Sequence, residues 1–230
     1  SRSDKGRSGL CPGIRHVIRD ILRRKTMFCI RMGNIEELGK VKDFYDSLIE
    51  EMQEAEYKPG WKKDIYPTME MLREALENRE LYIGEEAGKT AACMILNQNC
   101  NERYQEISWK TEAGPDRVMA VHTFGVHPRF SGRGLGKKMM EEAVKIASDR
   151  GMKAIRLDVL VGNLPAEKLY QKVGFQYAGS LNIFYEDTGW ADFNLYEYSV
   201  SDNLAQESGN SACDQRNFKN KFEKAAATYE

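Results

Sequence analysis

The sequence lacks long apolar runs and is poor in histidine. No stretch approaches the ~20 consecutive apolar residues that span a bilayer. With three histidines in 230 residues, a zinc site has few ligands to draw on, and we expect no metal. The five cysteines are odd in number and include no C-x-x-C pair. Together these absences predict a reduced, cytoplasmic protein.

The patterned part of the chain has the length of one domain. Hydrophobic residues make up 41% of the sequence and charged residues 30%, which is ordinary for a globular protein. Strand-like and helix-like patterns lie between residues 27 and 200, without an internal repeat. Residues 201–230 open with a polar stretch that predicts a flexible tail, and a weak helix is predicted over 218–227.

Residues 1–26 form a basic arm whose role the sequence leaves open. Eight Lys/Arg stand against two Asp in residues 1–25, although the whole chain carries a net charge of −1. Apolar residues at helical spacing lie on one side of this predicted helix and three arginines lie on the opposite side. Such a helix can bind an anionic membrane, nucleic acid or a partner protein. The arm also resembles a targeting presequence. We favour a simple extension preceding the domain, because the strand pattern starts only at "MFCIRMG".

The order of predicted elements indicates a mixed α/β (α+β) domain on one central sheet. "FCIRMG" predicts a strand, a capping box at residues 34–37 opens a helix, and Pro67-Thr68 opens a second helix to about Glu77. A hairpin turning within residues 85–89 comes next, and "YQEISW" predicts another strand. "VMAVHTFGV" and "KAIRLDVLV" are typical of buried strands, separated by a helix to about Arg150. "PAEKLYQKV" predicts a short helix before two closing strands, "FQYAGSL" and "FNLYEYSV".

A glycine-rich loop, "SGRGLG" at residues 131–136, lies between a predicted strand and a predicted helix. The loop does not match the Walker A pattern, because Ser131 stands in place of the first glycine and Lys138 in place of the hydroxyl residue. It does not match the dinucleotide-binding pattern either, because Lys137 stands in place of the third glycine. Glycines there let backbone N–H groups converge at a helix N-terminus. The alternative is a tight turn. We favour a pyrophosphate site formed by Ser131, Gly132, Arg133, Gly134, Leu135, Gly136 and Lys137.

Two segments resemble motifs of the GNAT superfamily of acetyl-CoA-dependent N-acetyltransferases. The loop is similar to Q/R-x-x-G-x-G/A, with Ser131 in place of Gln or Arg. Residues 161–175 resemble N-x-x-A-x-x-x-Y-x-x-x-G-F, with in-register matches at Asn163, Ala166, Tyr170, Gly174 and Phe175. The resemblance covers about residues 29–200. It implies an enzyme that moves acetyl from acetyl-CoA to a primary amine by direct attack in a ternary complex, on a sheet splayed between strands four and five.

The resemblance also implies roles for individual residues. Tyr170 would be the acid that protonates the departing thiolate, although a helix tyrosine could simply close the core. Asn163 and Ala166 would contact the cosubstrate, and Asn163 could also cap its helix. Pantetheine would pair with strand backbone in the gap between the splayed strands, and the same backbone would supply the oxyanion donor; this stretch is Phe124, Gly125 and Val126.

The general base is left open by the sequence. The strand glutamate of some relatives aligns with Ala120. His122, two residues on, shares that strand face, and an unperturbed histidine pKa of ~6.5 suits a general base. A lone histidine in an apolar strand is often a core residue, however. Glu106 and a water-mediated relay are the competing assignments.

The acceptor amine is not identified by the sequence. The resemblance places the segment "EAEYKPGWKKDIYP" at the acceptor site, where aromatic and acidic side chains suit a cation with some apolar body: Tyr57, Trp61, Tyr66, Glu54, Glu56 and Asp64. We expect a small-molecule or amino-acid-like amine, and a protein N-terminus or lysine is the alternative.

A different class of function is also open, a non-catalytic acyl-CoA-binding module whose basic arm recruits nucleic acid or membrane. Its discriminating test is thiol release from acetyl-CoA. For the enzyme we expect acetyl-CoA and an amine as partners, and neither nucleic acid nor a membrane. The closing strands of this family can meet a second subunit, which leaves a homodimer open.

Overall fold

Seven strands form one mixed sheet in the part of the chain that the computed structural model describes, residues 28–200. The strands are Cys29–Met32 (β1), Leu81–Glu86 (β2), Lys89–Asn97 (β3), Val118–Val126 (β4), Ala154–Leu160 (β5), Gln176–Tyr185 (β6) and Gly189–Ser199 (β7). They lie in the sheet in the order β1-β2-β3-β4-β5-β7-β6. The α-helices of the same range are Leu38–Glu51 (α1), Met69–Glu77 (α2), Leu135–Asp149 (α3) and Leu164–Val173 (α4). The predicted mixed α/β fold is confirmed, whereas the predictions for the basic arm and the polar tail fall outside the described residues.

The helices cover the sheet from both faces. On one face, α3 and α4 bury Met139, Met140 and Tyr170 against β4 and β5. On the other face, α1 and α2 bury apolar side chains such as Tyr45 and Leu72 against β2 and β3. These helices form because their apolar residues recur at helical spacing, so that one stripe of each helix is buried. Among the described helices, none is both long and apolar enough to cross a membrane.

The side-chain caps predicted at the starts of the first two helices are confirmed. The Glu37 carboxylate accepts a hydrogen bond from the Asn34 backbone N–H at 3.2 Å, and one 3-10 turn, Ile35–Glu37, leads into α1. The Thr68 hydroxyl accepts from the Met71 backbone N–H at 3.1 Å and caps α2. Both caps satisfy backbone donors that a helix start leaves without intrahelical partners.

The predicted strand "YQEISW" is wrong. Residues Glu102–Glu106 form a 3-10 helix, in which the Asn101 side chain accepts from the Arg103 backbone N–H at 2.9 Å. The apolar residues that suggested a strand point inward for another reason. Tyr104, Ile107 and Trp109 lie across β5, β6 and β7 and form a small core with them. The segment therefore covers the sheet and does not extend it.

The closing hairpin is longer than predicted. The segment between the two predicted strands is itself paired, for example Phe184 with Trp190 and Asn182 with Asp192, and the turn lies at residues 186–188. Polar residues there concealed the strand pattern. β6 is the last strand of the sheet order on that side.

The sheet opens between β4 and β5, as predicted. These parallel strands pair at Val118 with Ala154, Met119 with Ile155 and Ala120 with Arg156. Beyond these three pairs β4 continues to Val126 and β5 to Leu160, but no β4–β5 pairing joins them. The result is a gap in the middle of an otherwise continuous sheet.

Candidate active site

A bulge interrupts β4 shortly after its pairing with β5 ends. Thr123 has a φ of 48°, and the register of β4 with β3 shifts between Cys93 and Ile95. A bulge exchanges the two faces of a strand. Thus Val121 packs in the core on the α3 face before the bulge, and Phe124 packs against the same core after it. The Tyr45 hydroxyl of α1 donates to the Thr123 carbonyl at 2.8 Å and fixes the bulge.

The predicted cosubstrate backbone lies along this gap. Phe124, Gly125 and Val126 come after the bulge at the end of β4. Gly125 allows α1 to approach closely, because a Cβ there would lie 2.9 Å from Leu48 Cδ1. On the gap side this backbone has no β5 partner. Its polar groups there are therefore available to a ligand.

The glycine loop forms an open cradle at the start of α3. Gly132 and Gly134 have φ values of 76° and 72°, and a Cβ built on either would have no atom within 4 Å. Lys138 N–H donates to the Gly134 carbonyl at 3.2 Å, which begins the helical hydrogen-bond pattern. The amides of residues 135–137 precede this bond and keep their donors free, as at any helix start. The sequence therefore folds into a loop that fits a diphosphate.

Side chains of the loop are already engaged. Arg133 forms an ion pair with Glu86 and lies over the Phe130 ring at 5.5 Å. Lys137 pairs with Glu141 at 2.6 Å. Leu135 is buried, whereas Ser131 is exposed. The two cations predicted to assist anion binding thus have carboxylate partners in this structure, and the backbone amides are the groups left free.

Substituting Gly134 with alanine should raise the KM for acetyl-CoA by about 10-fold, because the methyl group enters the cradle and the left-handed φ costs roughly 1 kcal/mol. Steady-state kinetics with varied acetyl-CoA measure this. Gly88→Ala is the matched control, since Gly88 has a φ of 75° and equally open surroundings in the β2–β3 turn. Equal KM values for the two variants would contradict a binding role for the cradle.

The α4 motif brings Tyr170 to the gap. Tyr170 is buried, and its ring lies 6.5 Å from that of Phe124 and 6.1 Å from that of Tyr196. Burial, with the nearby Asp158 charge, raises the pKa of Tyr170 well above its usual value. Among residues 28–200 its hydroxyl has no hydrogen-bond partner, yet no fully buried side-chain polar atom there is unpaired. The hydroxyl oxygen is therefore not fully enclosed by the described residues.

Asn163 and Ala166 lie at the start of the same helix. The Asn163 carbonyl accepts from the backbone N–H groups of Ala166 and Glu167, each at 3.1 Å. Asn163 thus caps α4 through its backbone, and its side chain makes no capping bond. Ala166 packs against the core on the α3 face. Their proposed contacts with the cosubstrate stay predictions.

His122 lies at one edge of the gap, on the α1 face of the sheet. It pairs with Ile95 in register, and its Nε2 lies 3.1 Å from Asn97 Oδ1. Burial lowers the pKa of His122 to about 4. The side chain is therefore neutral at pH 7 but a much weaker base than a solvated histidine. Glu106, the competing assignment, is exposed and pairs with Arg103 at 2.6 Å, which lowers its pKa.

Replacing His122 with glutamine should leave the pH–rate profile unchanged between about pH 6 and 9, because the group does not titrate there. The profile of kcat/KM for both enzymes gives the answer. Loss of a limb from the profile would show that His122 carries the proton after all.

Asp158 is a residue of the candidate site that the sequence analysis did not single out. It lies on β5, two residues beyond the last β4–β5 pair, on the α1 face. Its carboxylate accepts hydrogen bonds from the Tyr185 hydroxyl at 2.6 Å and the Tyr104 hydroxyl at 3.0 Å. Burial raises the pKa of Asp158, and the two tyrosine hydrogen bonds oppose that rise. A carboxylate in a largely apolar strand, whose other charged residue is Arg156, was the signal available in "AIRLDVL".

Aromatic side chains cluster on the α1 face close to β4, where Trp61 lies 3.3 Å from a Cβ built on Gly125. Trp61 contacts both Tyr45 and Tyr66, with ring centroids 5.8 and 6.2 Å apart. Burial raises the pKa of Tyr66, and the charges of Asp158 and Asp187 add to the rise. Of the residues predicted to wall the acceptor site, Trp61 and Tyr66 belong to this cluster, and the acceptor site itself stays a prediction. By contrast, Glu54, Glu56 and Asp64 are exposed, and Tyr57 is only half-buried.

The segment that carries Trp61 and Tyr66 is tied to α1 by ion pairs. The Lys42 amine, nearly buried, binds Asp46 and reaches Asp64 Oδ1 at 2.9 Å. Lys63 binds Glu50 at 2.8 Å. Residues 54–67, which the resemblance places at the acceptor site, are therefore held against α1 by their own polar side chains. This arrangement can keep the two aromatic residues in place over the gap.

Comparisons with known proteins agree with this geometry. A family model described as the acetyltransferase (GNAT) family matches residues 43–175. The N-alpha-acetyltransferase RimI of Mycobacterium tuberculosis is 31% identical over 126 residues, 55% of this chain and 71% of that protein. A spermine/spermidine N(1)-acetyltransferase of Bacillus subtilis is 38% identical over 61 residues, 26% of this chain and 40% of that protein. A GNAT-family acetyltransferase structure from Streptococcus agalactiae has a TM-score of 0.64 at 19% identity, with 76% of this chain and 96% of that one covered.

Proposed function

The chain belongs to the GNAT family of acetyltransferases and is an acetyl-CoA-dependent N-acetyltransferase, and from this premise we propose that its acceptor is the α-amine of an amino-acid-like molecule. Asp158 acts as the base toward that amine, and Tyr170 as the acid toward the departing sulfur. The observation that carries the proposal is the half-buried Asp158 carboxylate on β5, two residues beyond the last β4–β5 pair, where the Tyr185 and Tyr104 hydroxyls donate hydrogen bonds to it.

The residues that would hold acetyl-CoA fit the shape of that molecule. The amides at the start of α3 and the open glycine cradle suit its diphosphate. The backbone of residues 124–126, free on the gap side, suits the amides of pantetheine. Acetyl-CoA supplies the activated acetyl group. The protein supplies position, a route for the amine proton and a hydrogen-bond donor for the sulfur.

Proton removal favours an α-amine over a lysine-type amine. An α-ammonium has a pKa of ~8, whereas a lysine-type ammonium has a pKa of ~10.4. Passing a proton to the same carboxylate therefore costs roughly 3 kcal/mol less from the α-amine. Burial raises the pKa of Asp158 and makes it a stronger base than a solvated aspartate. Direct transfer or transfer through one water both satisfy this scheme.

Tyr170 can supply a proton or a hydrogen bond throughout the neutral range. Its raised pKa keeps the phenol protonated well into alkaline conditions. It lies on the α3 face of the gap, whereas Asp158 lies on the α1 face. The base and the acid therefore act from opposite sides of the sheet, which suits an amine arriving from one side and a sulfur leaving on the other.

A polypeptide N-terminus is the second candidate acceptor. It is favoured by the match to an N-alpha-acetyltransferase that spans 71% of that protein. It presents the same α-amine, so the roles of Asp158 and Tyr170 are unchanged. The two acceptors differ in the length of chain beyond the first residue. Trp61 and Tyr66 can contact the first side chain in either case.

The test is thiol release from acetyl-CoA across a panel of amines at pH 7. Alanine amide and alanyl peptides carry an α-amine, N-α-acetyl-lysine amide carries a side-chain amine, and spermidine is a polyamine. We expect kcat/KM to be highest for the α-amines. A larger value for the lysine derivative or spermidine would refute the acceptor assignment. Binding of CoA without turnover of any amine would favour the non-catalytic module.

A further inference from the structure

A cavity of about 670 Å³ lies beside the glycine loop, away from the acceptor region. It is bounded by α1, the β2–β3 turn and the loop after β4. Helix α1 contributes Lys40, Asp43, Phe44 and Ser47, which form one stripe at helical spacing. The opposite flank of α1 carries Lys42, Asp46 and Glu50, which bind residues 54–67. The helix therefore separates the cavity from the acceptor region.

The cavity walls combine positive charge with aromatic surface. Four cationic side chains line it, against the two carboxylates Asp43 and Glu86. Arg129 pairs with Glu51 and Arg133 with Glu86. In residues 28–200, Lys40 and Lys89 form no ion pair with any side chain. The rings of Phe44 and Phe130 provide apolar walls, so the cavity is suited to an anion that carries a flat apolar group.

The base of the cavity is connected to the glycine loop. His127 is 6% exposed, and its Nε2 lies 3.1 Å from the Ser47 hydroxyl of α1. The His127 ring contacts Phe44 and Phe130, with centroids 6.0 and 6.3 Å apart. Phe130 in turn supports Arg133, whose guanidinium belongs both to the loop and to the cavity wall. A ligand in the cavity would therefore contact the residues that orient the loop.

We propose that this cavity binds a small phosphate or carboxylate anion attached to a planar ring, at a site separate from those of acetyl-CoA and the acceptor. The Lys40 and Lys89 amines hold the anion, and Phe44 and Phe130 hold the ring. The bound anion also retains Arg133 on the cavity side and weakens acetyl-CoA binding. This coupling rests on the proposed function, because it needs the glycine loop to bind the diphosphate.

Phenyl phosphate is the probe that combines both features. Titration calorimetry on the full-length protein should show saturable binding of phenyl phosphate. Inorganic phosphate keeps only the anion and benzyl alcohol keeps only the ring, so each should bind about 10-fold more weakly. The double variant Lys40→Met/Lys89→Met should weaken phenyl phosphate binding by about 100-fold, because each of the two charged hydrogen bonds contributes about 10-fold. Lys145→Met is the control, since Lys145 is a half-exposed amine of α3 and does not line the cavity.

Three outcomes would overturn the site. The first is that phenyl phosphate gives no saturable heat, and the second is that the double variant binds it as well as the native protein does. The third is that saturating CoA abolishes phenyl phosphate binding completely, which would assign the cavity to the cosubstrate. For the coupling, saturating phenyl phosphate should raise the Kd of acetyl-CoA about 5-fold in the native protein and not in the double variant. An unchanged Kd would refute the coupling alone. Failure of acetyl-CoA to bind the free protein would instead refute the proposed role of the loop.

Discussion

Asp158→Asn is expected to lower kcat by about 10²- to 10⁴-fold at neutral pH, the usual contribution of a positioned general base. Asparagine keeps the size of the side chain and an oxygen that can accept from the Tyr185 and Tyr104 hydroxyls. It cannot accept the amine proton. The KM for acetyl-CoA should stay within about 3-fold of the native value, because the proposed diphosphate and pantetheine contacts are made by other residues.

The pH dependence gives the same assignment a second test. The native rate should rise with pH as Asp158 loses its proton, at a pH above the usual aspartate range because burial raises its pKa. The variant should lack this limb. Stability should respond in the opposite sense. A folded-state pKa above the unfolded value destabilises the native protein as pH rises through that interval. The melting temperature of Asp158→Asn relative to native should therefore increase from acid toward neutral pH.

Asp192→Asn is a matched control for the charge change. Asp192 lies on β7 and accepts from the Asn182 amide at 2.8 Å at an exposed position. Its replacement should leave kcat within about 3-fold of native. If Asp158→Asn behaves like this control, the base lies elsewhere, and His122 or a water relay becomes the leading assignment.

The glycine loop and the α4 motif could be predicted because their geometry is local. The positive φ angles at Gly132 and Gly134 are properties of glycine, and the amides they expose belong to the adjacent helix start. Tyr170 lies near the gap because its helix, α4, follows directly after β5, one of the two strands that border the gap. The mixed sheet could be predicted in the same way, from buried strands alternating with amphipathic helices.

Asp158 could not be predicted because its environment is assembled from distant parts of the chain. Its partner Tyr104 is 54 residues away and Tyr185 is 27 residues away. Tyr104 reaches it through the segment that was wrongly predicted as a strand, so one error concealed the other. His122 was singled out from the sequence, but its basicity could not be predicted from it. Its chemistry was judged from a solvated histidine, and burial changes that chemistry.

Tyr170→Phe should lower kcat by about 10²-fold and leave the fold intact. The hydroxyl has no hydrogen-bond partner among residues 28–200, so its removal breaks no observed side-chain bond. The phenylalanine ring keeps the packing against Phe124 and Tyr196. A structural tyrosine would give the reverse result, with lower stability and normal turnover. Thermal melting and steady-state kinetics on the same preparation separate these cases.

Tyr196→Phe is the matched control in the same aromatic cluster. The Tyr196 hydroxyl donates to Glu167 at 2.8 Å, and its ring lies 6.1 Å from that of Tyr170. Its loss should reduce stability by about 1 kcal/mol, the usual value of one hydrogen bond, and leave kcat within about 3-fold of native. Equal kcat values for the two tyrosine variants would remove Tyr170 from the chemistry.

The two largest predicted effects should also depend on each other. Burial is the larger cause of the raised pKa of Tyr170 and the Asp158 charge is the smaller one, so Asp158→Asn should lower that pKa in part. An alkaline loss of rate that the native enzyme shows only at high pH should then move to lower pH in Asp158→Asn. The residual turnover of that variant, measured from about pH 7 to 10.5, reports the shift. An alkaline limb at the same pH in both enzymes would mean that the two groups do not act across one gap.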